Sequence, residues 1–499
     1  MRTRVISMWA CWSGGLLLWL AIASAATAQE RHDHGIPEHL GTVTFPISCA
    51  PASRQSFNRA VALLHSFAYG PANKAFKDIV ASDPTCAMAH WGVAMSYFHP
   101  VWAPALPAET FATGQKEAQE AARLAGPTPR EQAYIAAVGE LYRPDASLKL
   151  PQRTVAYENA MARLARDNPA DVEASVLYAV ALLSNASPAD KTHAKQKQAI
   201  DILEPLFARY PDHPGIAHYL IHACDSAELA QRGLPAARKY AGIAPSAPHA
   251  LHMPSHIFTR LGLWNDSIQS NLASEKSARE HGDVMGQLHA MDYLVYAYLQ
   301  LGKTKEASDV VATLHAMPDL DMDDFAVAYA ATAMPVRLAV EQGQWSVAGA
   351  IKPPVGAPPS VVAIAVWAKG LGLARTGHAA EARTQATSLG QLAAKLDASG
   401  DAYWSTQTRV LADEVTAWAA QASGDAATAE RLLRASADRE DALEKRPVTP
   451  GPIVPAREQL GDLLLTQKRP DEALIAFRAA LLEAPGRAGA LRGVASTER

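Results

Sequence analysis

At 499 residues, with 49% hydrophobic and 19% charged side chains, the chain has apolar material for several cores or for one long repeat stack. Its net charge is only −4, and no Lys/Arg-rich block or basic stripe occurs, which argues against a nucleic-acid partner. Ala, Leu, Glu, Gln and Arg abound while β-branched alternation never persists, so the expected class is all-α.

Residues 1–28 read as a secretory signal peptide. Arg2 and Arg4 supply the basic start, Gly14–Ala23 the apolar centre, and Ala26-Thr27-Ala28 a small-residue cleavage site. The expected address is periplasmic or secreted, in a bacterium. An uncleaved membrane anchor is the rival reading, because Val5–Ala26 is almost entirely apolar. No later stretch is long and apolar enough to span a bilayer. Cleavage would leave Cys49, Cys86 and Cys224. In an oxidising compartment Cys49 and Cys86 are candidate disulfide partners, with two buried thiols as the alternative.

Residues 29–50 form an N-terminal extended segment, in which His32, His34 and His39 read as part of a solvated tail. N-terminal helical repeats are expected over 51–200. The pattern predicts a helix over Phe57–Tyr69, a break at Gly70-Pro71, and a second helix over Ala72–Ala81. Further helices are expected at Cys86–Phe98, Glu109–Leu124, Arg130–Tyr142, Pro151–Asp167, Ala170–Leu183 and Lys191–Arg209. A central histidine-rich block spans 201–305, a further helical repeat 306–354, and a Gly/Pro linker 355–359. Residues 360–499 read as C-terminal repeats closed by a capping helix near Arg487–Val494, which Gly489 and Gly493 weaken. From the central block onward Gly262, Gly302, Gly343, Gly377 and Gly424 mark the points where one helix hands over to the next.

The central block repeats itself. Shifted by 34 residues, Pro211 falls on Pro245, Pro214 on Pro248, His218 on His252 and His222 on His256. That period resembles the tetratricopeptide repeat, a pair of antiparallel helices stacked into a superhelix. The last repeat carries the same resemblance, with Leu460-Gly461, Leu464, Ala473, Phe477, Ala480 and Pro485 at the family's consensus positions. The two histidine motifs are also similar to those of a family of secreted bacterial tetratricopeptide proteins with no established activity. The resemblance implies an all-α, right-handed α-solenoid. It also implies that positions 2, 5, 9, 12 and 13 of each first helix face a concave groove that takes ligands.

With the handover glycine at position 15, those groove positions hold His218, His222 and Asp225, then His249, His252 and His256, then His289, Asp292 and Tyr296. Residues three and four apart share a helix face, so these groups would look into one volume. Three readings stay open. His218, His222, His252 and His256 could bind a divalent transition metal, with Asp225, His249, His289, Asp292 and Tyr296 as supporting or ligand-binding groups. The same groups could hold a small organic ligand or act as acid and base without metal. They could equally be packing residues in a solenoid that works through another surface.

Pro254 either bends the histidine-bearing helix or delays its start past His252. Trp367, Trp418 and Arg337 fall at groove positions but suit core packing. His65 and His99 would approach the site if the superhelix curls tightly. No H-E-x-x-H, G-x-S-x-G, phosphate-binding glycine loop or Cys-x-x-Cys occurs, so known metalloprotease and serine-hydrolase types are not indicated. The expected function is a tetratricopeptide protein with a histidine-lined groove, with a metal-dependent enzyme left open. The alternative is a non-catalytic scaffold that binds a protein partner in that groove.

Overall fold

Every regular element among the described residues is an α-helix, and twenty-four of them follow one another from Ser53 to Thr497. The structure is a computed structural model, and it describes residues 38–101 and 106–498. The signal-peptide expectation, His32 and His34 lie outside the described residues.

Each helix packs on the next, and alternate helices also pack on one another, as Val284–Gln300 does on Phe325–Glu341 and Pro359–Arg375 on Ala402–Ala422. Contacts of that kind make a solenoid, in which every repeat buries its apolar face against its neighbours. The handover glycines explain the turns. Gly262, Gly302, Gly343, Gly377 and Gly424 all have positive φ, between 64° and 88°, a conformation that costs a side chain with a Cβ roughly 1–2 kcal/mol.

Three local details differ from the sequence expectation or refine it. The first handover lies at Ser66–Ala68, between helices Ser53–His65 and Tyr69–Ser82, and not at Gly70-Pro71. Pro71 sits in the first turn of the second helix, where its missing N–H would have no helical acceptor anyway. The turn is instead made by Phe67, which holds φ 53° without being glycine. Pro254 divides its helix into Pro248–His252 and Pro254–Arg260, with Met253 still helical between them, so His249 and His252 are on a helical turn. The final helix, Ala488–Thr497, forms despite its two glycines because they are packing sites. A Cβ on Gly489 would lie 1.9 Å from Glu458, and one on Gly493 would lie 2.4 Å from the Phe477 ring.

Residues 39–499 form one compact unit. Its N-terminal segment runs across the early repeats without helix. Phe45 is buried there against Phe57, Trp91 and Tyr134, and Cys49 is bonded to Cys86. The other end of the unit folds back on the central repeats. Trp264 Nε1–H donates to the Gly486 carbonyl at 3.0 Å, and the Ala488 N–H to Gln300 Oε1 at 2.9 Å. Arg487 is fully buried, between Glu341 at 2.8 Å and Glu458 at 2.6 Å.

The loop between helices Ala426–Asp441 and Ala456–Thr466 covers the histidine-bearing face. Lys445 pairs with Asp225 at 2.7 Å, the Glu444 N–H donates to the Pro188 carbonyl at 2.8 Å, and Tyr293 Oη–H reaches the Thr449 carbonyl at 3.2 Å. The face expected to form a groove for a partner is therefore occupied, over the central repeats, by the chain's own residues.

Candidate metal centre

Proline starts both histidine helices. Pro214 and Pro248 are their first residues, so His218 and His252 stand at the same point of consecutive repeats. His222 and His256 follow one turn later. His289 comes from Val284–Gln300, the next helix of this kind along the stack. All except His249, which is half-buried, are buried in the fold.

The four histidines singled out as a metal set do not converge on one point. They divide between two triads, each completed by a histidine expected only in support. His218, His222 and His249 bring one nitrogen each within 4.8 Å of one another, and so do His252, His256 and His289. Within the first triad His218 Nε2 faces His249 Nε2 at 3.2 Å; within the second His252 Nε2 faces His256 Nε2 at 2.9 Å.

The outer nitrogens decide which tautomers are present. Asn271 Nδ2 donates to the Ser267 carbonyl at 2.8 Å, so its Oδ1 faces His252 Nδ1 at 2.7 Å and can only accept. Asp225 Oδ2 accepts from His256 Nδ1 at 2.9 Å. The His65 carbonyl accepts from His218 Nδ1 at 2.6 Å. Each of these imidazoles carries its hydrogen on Nδ1, and Nε2 is left with a lone pair turned towards its neighbour. Nδ1–H donation to a carbonyl or carboxylate is the usual support of a metal-ligating histidine.

Burial, followed by the other imidazoles, holds His218, His222, His249, His252 and His289 well below the ordinary histidine range. His256 is lowered less, because the Asp225 carboxylate opposes burial there. Asp225 itself is pushed up by burial, but Lys445 and Arg260 outweigh that and keep it ionised well below the usual carboxylate range. Two aromatic walls enclose the triads. Phe67 stacks on His249 and His222 and meets His218 edge-on at 4.4 Å. Tyr293 meets His252 edge-on at 4.8 Å and lies 5.1 Å from the His256 ring.

Two groups expected in the groove are elsewhere. Asp292 faces Arg337 at 3.7 Å, and burial raises its carboxyl to about 6. Tyr296 lies two turns beyond His289, where its ring packs on Trp264 and its hydroxyl accepts from Arg487 at 3.3 Å. Tyr293, four residues after His289, reaches the histidines instead, at the same spacing that links His218 to His222. Trp367 and Trp418 are core residues that donate to Glu414 and Gln459. Cys224 is a buried free thiol, pushed up to about 12 by burial, and joins neither triad.

Sequence reasoning missed Asn271, which contacts His252 from the helix that follows, and Phe67 and Lys445, which reach the histidines or Asp225 from distant parts of the chain. It also missed a third cluster behind the site. Glu173 accepts from His65 Nε2 at 2.8 Å and from His213 Nε2 at 2.9 Å, while His65 Nδ1 accepts from the Tyr219 hydroxyl and His213 Nδ1 from the Ile216 N–H. All four ring nitrogens there have partners, so this cluster is a clamp that holds His65, and through its carbonyl His218.

No family model matches the chain, and neither does any curated protein. Among solved structures the chain is similar to Cut9 in the APC/C hetero-tetramer with Hcn1, at 11% identity over 90% of this chain and 76% of that one, with a TM-score of 0.34. It is also similar to yeast Tom70, at 12% identity over 90% of this chain and 95% of that one, with a TM-score of 0.33. By its own stacked helix pairs and glycine handovers the chain is an all-α solenoid, and its 34-residue histidine register resembles that of the tetratricopeptide repeat.

Proposed function

We propose that this solenoid is an exported metal-binding protein whose central repeats hold transition-metal ions in the two histidine triads. The supporting observation is the pair His252 Nε2 and His256 Nε2, 2.9 Å apart, both bare of hydrogen because Asn271 and Asp225 take the Nδ1 hydrogens. Two lone pairs at that distance repel unless a cation stands between them. A metal bonded to two nitrogens at about 2.0–2.1 Å, with about 90–110° between the bonds, sets them roughly 2.8–3.4 Å apart. Both observed separations fall in that interval. The Cys49–Cys86 bond supports export, since such bonds persist in oxidising compartments.

The experiment is metal analysis of protein purified without an affinity tag, beside the double variant H222Q/H256Q. About one metal equivalent per triad is expected in the parent, and loss of metal with little change in helix content in the variant. A parent that is metal-free, takes up none on titration, and melts well above the variant would show instead that the histidines are packing residues sharing protons. Loss of binding of an organic ligand, with no metal involved in either protein, would favour direct ligand binding. Intact mass of the exported protein, expected to begin near Gln29, tests the address separately.

A further inference from the structure

The C-terminal repeats close on themselves. Helix Val284–Gln300 packs on Phe325–Glu341, that helix on Pro359–Arg375, and Pro359–Arg375 on Ala402–Ala422. Trp418 Nε1–H donates to Gln459 Oε1 at 3.0 Å, which joins Ala402–Ala422 to Ala456–Thr466. Ala456–Thr466 packs on Ala488–Thr497, and the Ala488 N–H returns to Gln300. These six helices form a ring, and all of them but Val284–Gln300 line a cavity of about 340 Å³. Arg375 lies there against the Trp345 and Trp418 rings, 4.6 and 4.1 Å from their centroids. The rings take the faces of the planar cation and leave its N–H edges. Among the described residues neither those N–H groups nor the Asp462 carboxyl, on the same cavity, has a hydrogen-bond or ion-pair partner. Enclosure by the ring, with Glu458 alongside, pushes that carboxyl up to about 7.

We propose that this ring binds a free α-amino acid with an apolar side chain, its carboxylate on Arg375 and its ammonium on Asp462. The guanidinium edge offers two parallel N–H donors, the match for a carboxylate. The ammonium supplies the cation that Asp462 lacks. A simple anion would satisfy Arg375 but bring a like charge to Asp462, and a simple cation would do the reverse. The charge balance agrees. Glu341 and Glu458, also on the cavity, are both held by Arg487, so Arg375, Arg487 and Arg492 stand against Glu341, Glu458 and Asp462. A zwitterion adds no net charge to that neutral enclosure, whereas an ion would have to be desolvated without a counter-charge. Val340, Leu371, Leu465 and the two indoles give the side chain an apolar wall.

The test is isothermal titration of exhaustively dialysed full-length protein with L-leucine and with L-phenylalanine. Saturable binding at a single site is expected. N-acetyl-L-leucine, which lacks the ammonium, and L-leucinamide, which lacks the carboxylate, should each bind at least roughly 10-fold more weakly, the worth of one charge-assisted hydrogen bond. R375M and D462N should lose a similar factor for L-leucine at an unchanged melting temperature, since neither group is bonded within the fold. D462N should also leave the binding of N-acetyl-L-leucine as it was. Absence of saturable binding with both amino acids would overturn the site. N-acetyl-L-leucine bound as tightly as L-leucine would make it a carboxylate pocket, which a peptide C-terminus could fill, and L-leucinamide bound as tightly an amine pocket; either result would overturn the zwitterion. Parent-like binding of L-leucine by R375M or D462N would overturn the roles given to these residues.

Discussion

Replacing Arg487 with methionine should release the end of the solenoid from the central repeats. The guanidinium is fully buried and spends its donors on Glu458 Oε2 at 2.6 Å, Glu341 Oε1 at 2.8 Å, the Ile453 carbonyl at 3.1 Å and the Tyr296 hydroxyl at 3.3 Å. Methionine fills much of the same volume but leaves two buried carboxylates without their cation. Removing one partner of a buried ion pair costs about 3–5 kcal/mol, because the remaining charge stays uncompensated. The deficit should depend on pH in a defined direction. Burial already lifts Glu341 above the ordinary carboxylate range, and Arg487 opposes that rise. Without the arginine the folded-state value climbs further above the unfolded one, so the ionised form is penalised above about pH 4.5 and protonation relieves it.

Urea denaturation of parent and variant at pH 7 and pH 5, followed by circular dichroism, measures both effects. Hydrogen exchange should rise first in helix Ala488–Thr497 and in the covering loop around Lys445. The triple variant R487M/E341Q/E458Q should recover more than half of the loss, since the stranded charges are then gone. An R487M midpoint equal to the parent's, or an equal deficit at both pH values, would refute the reasoning.

Other perturbations have expected outcomes of their own. Asn271→Leu removes the acceptor of His252 Nδ1–H, and should cost about 1–3 kcal/mol in a denaturant melt and weaken metal retention roughly 10–100-fold in a chelator competition; unchanged retention would mean that the His252 tautomer is irrelevant to binding. Opening the Cys49–Cys86 bond with C49S/C86S should destabilise the early repeats by about 2–4 kcal/mol, read as a lower melting temperature that reductant does not lower further; equal melting of parent and variant would count against it. Gly493→Ala, a change that stabilises an exposed helix by about 1 kcal/mol, should here destabilise by about 1–3 kcal/mol, because its Cβ would meet the Phe477 ring; a higher melting temperature would show that the ring can move aside.

The histidine centre was legible in part. His218, His222, His252 and His256 could be found because a 34-residue repeat and an i,i+4 spacing are both properties of the linear chain, and His249 and His289 followed from the same count. Tyr293 could have been found too, since it stands to His289 as His222 stands to His218; the family register pointed to Tyr296 instead, which a further turn of helix carries to Arg487. Their partition into two triads was not legible. It depends on how far neighbouring helices are rotated and offset, which the packing of side chains from other repeats sets and no local pattern records.

What the sequence determined alone was the local grammar. Helical periodicity set the all-α class, proline at the helix starts set the histidine register, and glycine set the handovers at Gly262, Gly302, Gly343, Gly377 and Gly424, because each of these is a constraint on a few consecutive residues. Only the tertiary structure decided that the groove is not open. Lys445 comes to Asp225 from 220 residues away, and Arg487 to Glu341 from 146. No pattern in the chain encodes those meetings, because they follow from the curvature accumulated over many repeats, and a few degrees of rotation per repeat decide whether the C-terminal end reaches the central repeats.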